Sequence, residues 1–441
     1  MAIVAAMAVP HPPIILPEVG RGEEKKIAKT AAAYREVMRR AAELEPDTVV
    51  ITSPHATMYS DYFHISPGKS ARGDFSAFRC PEVEIEAEYD AAFSKALADA
   101  CAEEDLPAGF LGEREPALDH GTMIPLYFLQ PALKKPVKVV RIGLSGLSAD
   151  VHYRLGRLIQ DTAEKLGRRT VFIASGDLSH KLKEDGPYGF AKEGPVFDEA
   201  VTEDLGKADF LSLLTISPDL AEGAAECGLR SFWIMAGALD CQRVHAELLA
   251  HEGTFGVGYG VAYFTPEGED DARDIGRQLI DAETQAIAKV REQEDAYVRL
   301  ARESLETFAR SHTMLPVPKD LPEDLQDRRA GCFVSIKKDG RLRGCIGTLA
   351  PGRRNLAEEI ICNAVSAGMH DPRFPQVTPD ELPKLVYDVD VLSEPEPIDS
   401  PKELDVKRYG VIVQNGERRG VLLENFAMEL ALEGGEGHGS H

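Results

Sequence analysis

Three histidines occupy matching places in the chain. His11 follows the apolar run IVAAMAV by two residues, in PHPP; His55 follows TVVITS, in SPHA; His180 follows TVFIAS, in SGDLSH. A neutral imidazole binds divalent metals and titrates near neutrality, so histidines that converge could hold a metal or move protons. Two further stretches carry reactive groups. LDHGTMIPLYFL puts Asp119 and His120 ahead of an apolar helix, and ECGLRSFWIMAGAL puts Glu226 and Cys227 at the start of another, which holds the only Trp. Beside two imidazoles, a carboxylate completes the facial set of non-haem Fe(II) oxygenases.

Taken singly, each residue has an ordinary alternative. A histidine after a strand is more often a hydrogen-bonding residue than a ligand. Glu226 could be a helix-N-terminal acid on the dipole, and Cys227 a small buried apolar residue. The joint pattern is more specific. Prolines 10, 12 and 13 around His11 restrict φ and remove amide donors, presenting the imidazole in one orientation.

The elements behind these residues predict how they meet. Ile3–Val9, Thr48–Ser53, 137–144 and Thr170–Ser175 read as buried strands, with helical periods at Glu23–Leu44, Tyr89–Glu103, Val151–Leu166 and Pro195–Leu214 between them. The expected class is α/β, a mainly parallel central sheet with helices on both faces. Residues just past the carboxyl ends of such strands share one crevice. The first domain is placed at 1–270. Acidic, turn-forming residues mark a boundary near 266–285, followed by one long amphipathic helix reaching about Phe308.

Residues 285–425 read as a smaller α+β domain: a hairpin turning on Asp339-Gly340, a helix at Leu356–Ala367, and a strand in VYDVDVLS. Cys345, in LRGCIGT, could be a reactive thiol near His370 and Asp371, or a buried strand cysteine, which is the preferred reading. The small polar residues of 426–441 are expected to be a disordered or vector-derived tail.

Bulk properties narrow the classes. The 441 residues suit two or three domains, and the apolar (43%) and charged (28%) fractions are those of a globular protein. A formal charge of −23 argues against nucleic-acid or anionic-membrane contact. The local exception is Arg328–Arg354, with eight basic residues and one acid, Asp339; a solvated hairpin face explains it as well as an anion site. No stretch reaches the roughly 18–20 apolar residues of a membrane span, and the N-terminal run lacks a basic leader, so no signal peptide is expected. Seven dispersed cysteines without a CxxC suit a reducing cytoplasm.

The set PHPP, SPHA, LDHGTMIPL, SGDLSH and ECGLR resembles the class III extradiol dioxygenase (LigB-type) superfamily and the related Memo family, over residues 1–265. RRAGCFVSI, LRGCIGT, HDPRFPQV and YGVIV resemble the AMMECR-one family over about 285–423. In this order the two resemble a bacterial fusion family, the AmmeMemoRadiSam proteins, whose name implies a radical S-adenosylmethionine partner. The resemblance implies Fe(II), or another divalent metal, held by His11 and His55. Glu226 or Cys227 is the third ligand, Cys227 matching the Memo relatives and Glu226 the dioxygenases. His180 is implied as acid/base, with His120 as a second active-site histidine. The implied reaction is extradiol cleavage of a catecholic or related aromatic diol by dioxygen; the alternative is a metal-binding protein without that activity. Related dioxygenase folds often pair, so a homodimer is an open expectation. After Leu423 the sequence departs from the AMMECR-one pattern.

Overall fold

A computed structural model describes residues 2–338, 340–394, 396, 398 and 410, and the strands at 411–415 and 418–422. The expected Asp339 turn residue and the tail lie outside the described residues. The chain divides into two compact units, 1–283 and 284–441.

The first unit is built on an eight-stranded sheet. Its strands are β1 (Ile3–Val9), β2 (Thr48–Ser53), β4 (Ser70–Phe75), β5 (Cys80–Tyr89), β7 (Lys138–Gly143), β8 (Thr170–Ser175), β9 (Gln242–Glu252) and β10 (Tyr259–Glu269); β3 (Phe63–His64) and β6 (Ala108–Gly109) form a separate short pair. The spatial order is β4-β5-β7-β2-β8-β1-β10-β9. The five central strands are parallel, with β4 and the β10-β9 pair antiparallel at the edges.

Strands β1, β2, β7 and β8 are largely apolar because both faces are covered. Ala6, Ala8, Val50, Ile142, Phe172 and Ala174 pack with the helices Ala91–Glu103, Ala149–Lys165 and Leu229–Ala238. Ala5, Met7, Val9, Val49, Ile51 and Ile173 pack with Ala28–Glu43 and His120–Leu129. The expected mainly parallel, doubly covered sheet is therefore what forms. Because the central strands run the same way, the turns after Val9, Ser53 and Ser175 open at one end.

Several boundaries differ from the sequence reading. The β4–β5 hairpin and β9 were not anticipated: alternating charged residues such as EVEIEAEY suit a strand near the sheet's edge with one face exposed. The expected helix at Pro195–Leu214 is two, Glu193–Lys207 and Phe210–Leu214, parted where Ala208 is left-handed (φ 50°) and Asp209 caps the second. The expected long helix to Phe308 is also two, Ile275–Glu292 and Ala296–Ser311; the Asp295 carboxylate accepts from the amides of Tyr297 and Val298 and starts the second.

In the second unit, β11 (Cys332–Lys338), β12 (Arg341–Gly347) and β13 (Leu385–Val391) form an antiparallel sheet in the order β12-β11-β13. Its apolar face packs on the helices Ala296–Ser311 and Leu356–Met369. Strands β14 (Val411–Asn415) and β15 (Arg418–Leu422) pair antiparallel. Gly340 takes the positive φ (74°) of the β11–β12 turn. Much of the basic run is neutralised: Lys338 and Arg343 meet at Glu381, Arg354 pairs with Glu358 and Arg328 with Asp324.

Candidate metal centre

His11 is carried by the turn after β1. Its amide donates to Asp177 Oδ1 at 2.8 Å, tying it to the turn after β8. Pro12 is extended (φ −70°, ψ 123°), and a 3-10 turn over Pro13–Ile15 follows. The imidazole is buried and its protonation pattern can be derived. The Ser175 hydroxyl donates to the Gly121 carbonyl at 2.6 Å, so toward His11 Nδ1, 3.0 Å away, its oxygen can only accept. His11 therefore carries its proton on Nδ1 and presents a bare lone pair at Nε2.

That lone pair faces His55. The two Nε2 atoms are 3.1 Å apart. A metal held about 2.0–2.2 Å from each nitrogen would see them at roughly a right angle, as neighbouring ligands. His55 itself is exposed on the turn after β2, and its amide donates to Ser53 Oγ at 3.2 Å. The Ser53 hydroxyl in turn donates to Asp119 Oδ1 at 2.6 Å.

Donor atoms gather in two groups that share His11. One is His11, His55 and His120; the other is His11, Asp177 and Cys227; within each the donor atoms lie within 4.8 Å of one another. Cys227 Sγ is 3.6 Å from His11 Nε2 and receives the Asp177 amide at 3.3 Å. Glu226 joins neither group. Its Oε2 accepts the Leu229 amide at 2.6 Å, at the start of the helix Leu229–Ala238. Of the two expected third ligands, the fold thus brings only Cys227 beside the histidines.

His120 opens the helix His120–Leu129. Asp119 caps that helix, accepting the Thr122 amide at 3.0 Å, and pairs with the buried Arg141. Gly121 is required here: a Cβ would fall 2.4 Å from Ser53 Oγ and 3.4 Å from His11 Nδ1. The His120 ring lies 4.0 Å from that of His55 and meets Phe78 edge-on at 5.2 Å. His180 stacks on Tyr188, with centroids 5.0 Å apart.

The electrostatics favour neutral imidazoles, the form in which a histidine can ligate a metal. Burial, then His55, pushes His11 down to about 3; burial, then His55 and His11, does the same to His120. Desolvation also lowers His180, and His55, whose ring packs against His11 and His120 although the residue as a whole is exposed. Burial lifts the Asp177 carboxyl to about 6, against the His11 amide and the histidines, and pushes the Cys227 thiol well up. A metal bound by either group would reverse this by deprotonating it. Burial also works to raise the Asp119 carboxyl, but Arg141, Ser53, Thr122 and His120 hold it low.

Asp177, Ser175, Ser53 and Arg141 were not singled out by the sequence. Asp177 had a signal, an acid two residues beyond a strand end in the same motif as His180. Ser53 and Ser175 close their strands at the start of the SPHA and SGDLSH motifs but carry no chemical signal of their own, and Arg141 lies inside β7 with none.

In the second unit, Asp371 Oδ2 accepts the Cys345 amide at 2.9 Å, Ser335 Oγ donates to Cys345 Sγ at 3.2 Å, and Arg373 pairs with Asp371. Among the described residues no hydrogen bond links Cys345 to His370.

Comparison with known proteins agrees with this division. Residues 5–262 match the family described as the catalytic LigB subunit of aromatic ring-opening dioxygenase, and residues 298–434 match AMMECR1. A Clostridium acetobutylicum protein is 39% identical over 451 residues, covering 98% of this chain and 95% of its own. A Thermotoga maritima protein is 51% identical over 134 residues, 30% of this chain and 77% of its own. Among solved structures, an uncharacterized Pyrococcus horikoshii protein is 35% identical over 31% of this chain and 70% of its own, with a TM-score of 0.29. An uncharacterized Escherichia coli K12 protein is 16% identical over 59% of this chain and 99% of its own, with a TM-score of 0.38.

Proposed function

We propose, from the premise that this chain belongs to the family of the catalytic LigB subunit of aromatic ring-opening dioxygenase, that its first unit is a metal-dependent extradiol-type dioxygenase. Its substrates would be dioxygen and a catecholic or related aromatic diol, and Fe(II) the metal. The observation that carries this is the 3.1 Å approach of the His11 and His55 Nε2 atoms, with the His11 lone pair aimed by Ser175.

His11 and His55 would hold the metal, with Cys227 or Asp177 completing the set. The metal, when bound, brings diol and dioxygen onto one centre and passes electron density between them. The protein's own groups do the rest. His180, kept neutral by burial, takes a phenolic proton as the diol binds. His120, also neutral, donates a hydrogen bond to negative charge developing on oxygen. Phe78 and Tyr188, against His120 and His180, supply apolar surface that suits an aromatic ring.

A second reading is favoured by Cys227. A thiolate among the donors suits tight, soft metal binding better than turnover, and Glu226 faces its helix instead. The protein would then bind metal without ring cleavage, as a partner of a radical S-adenosylmethionine enzyme.

Anaerobic loading with Fe(II), followed by oxygen uptake with a panel of catechols, separates these. Uptake that disappears in His180→Ala, with iron retained, supports the dioxygenase. Iron bound at His11 and His55 without uptake favours the second reading, and a protein that binds no metal excludes both.

A further inference from the structure

We propose that Asp198 and His251 are a positioning pair that holds the segment Asp177–His180 in place beside the histidine group, an inference that rests on the metal-site reading above. Asp198 lies on the helix Glu193–Lys207 and is buried, yet belongs to neither donor group. Its Oδ1 accepts the Ser179 amide at 2.7 Å, and its Oδ2 lies 2.7 Å from His251 Nε2. A carboxylate only accepts, so His251 donates from Nε2.

Ser179 directly precedes His180 and lies two residues after Asp177. Its carbonyl accepts the Gly258 amide at 2.7 Å, its hydroxyl donates to the Ala224 carbonyl at 3.0 Å, and His180 donates its amide to that same carbonyl at 3.0 Å. Of these ties, only the one to Asp198 ends on a charge. The cradle around that charge is closed by backbone: a Cβ on Gly258 would fall 2.0 Å from Asp198 Oδ2.

A neutral oxygen would satisfy the Ser179 amide without the cost of burying a carboxylate. The charge becomes intelligible with His251 added. That histidine sits on β9, partly exposed, and links the segment through Asp198 to the far edge of the sheet. This is the arrangement by which outer residues orient a metal site, where their loss typically costs 10–100-fold in affinity or activity.

The test uses the full chain loaded anaerobically with Co(II), with 4-nitrocatechol as a visible probe whose spectrum reports its deprotonation on binding. The inference predicts that His251→Ala weakens probe binding about tenfold and shifts the bound-probe spectrum, while Co(II) binding changes little. His251→Gln, whose amide can donate to Asp198, recovers most of the loss. Asp198→Asn, which keeps the Ser179 contact and removes the charge, behaves like His251→Ala. Equal losses in His251→Ala and His251→Gln would assign the effect to ring packing and overturn the inference. Wild-type behaviour in both His251→Ala and Asp198→Asn overturns it while the metal reading stands; wild-type protein that takes up no Co(II) removes both.

Discussion

His11 and His55, 44 residues apart in sequence, bring their Nε2 atoms to 3.1 Å, with the His11 proton held on the opposite ring nitrogen by Ser175. A neutral His55 meets the His11 lone pair either with its own Nε2–H or, as the other tautomer, with a second lone pair that a bound cation would bridge. His11→Ala and His55→Ala should each lower Fe(II) or Co(II) affinity at least 100-fold while leaving the fold intact. Elemental analysis after dialysis and a thermal melt measure both halves of this statement. Retention of stoichiometric metal by His11→Ala would place the metal elsewhere.

The third ligand can be read spectroscopically. Cobalt bound by Cys227 should show a near-ultraviolet sulfur charge-transfer band that vanishes in Cys227→Ser and survives in Asp177→Asn. Glu226→Ala should keep the band and lose about 1 kcal/mol of stability, the usual worth of a carboxylate at a helix start, because Glu226 holds the Leu229 amide. A band that survives Cys227→Ser rules the thiolate out.

Gly121→Ala tests how closely the turns are packed. The added methyl would meet Ser53 Oγ, Asp119 Oδ1 and His11 Nδ1 at once. We expect a cost of about 1–3 kcal/mol from overpacking and a metal affinity at least tenfold weaker, both from chemical denaturation and Co(II) titration. An unchanged affinity would show that the site adapts without loss.

Stability should fall on mild acidification, and His152 isolates one cause. It is a core residue, edge-on to Phe63 and Trp233, whose pKa is lowered by burial to about 4. The unfolded chain takes up this proton near pH 6.5 and the folded one does not, so stability falls as pH drops from 6.5 toward 4. This group's share is roughly 3 kcal/mol. His11 and His120 act in the same direction; Asp177, raised to about 6, acts oppositely, favouring the fold at low pH and losing that contribution as pH rises through 6. In the metal-free protein, the melting temperature of His152→Gln should depend less on pH between 7 and 5 than that of wild type. Parallel profiles for the two proteins would contradict it.

The sequence by itself determined the parts that depend on local pattern. Continuous apolar runs with helical periods between them imply parallel strands buried on both faces, and that alone sends His11, His55 and His180 toward one end of a sheet. The prolines around His11 and the positive φ of Gly340 are equally local, because they act through a single residue's backbone. What only the tertiary structure decided depends on atoms distant in sequence. Which of Glu226 and Cys227 lies beside His11 turned on which side chain the Leu229 amide captured, and adjacent residues at a helix start cannot be told apart by type. The tautomer of His11 needed Ser175 and Gly121 from two other elements. Asp198 and His251 sit in a helix and an edge strand with nothing in their neighbours to mark them, because a carboxylate becomes a positioning group only where the folded chain brings it an amide and an imidazole.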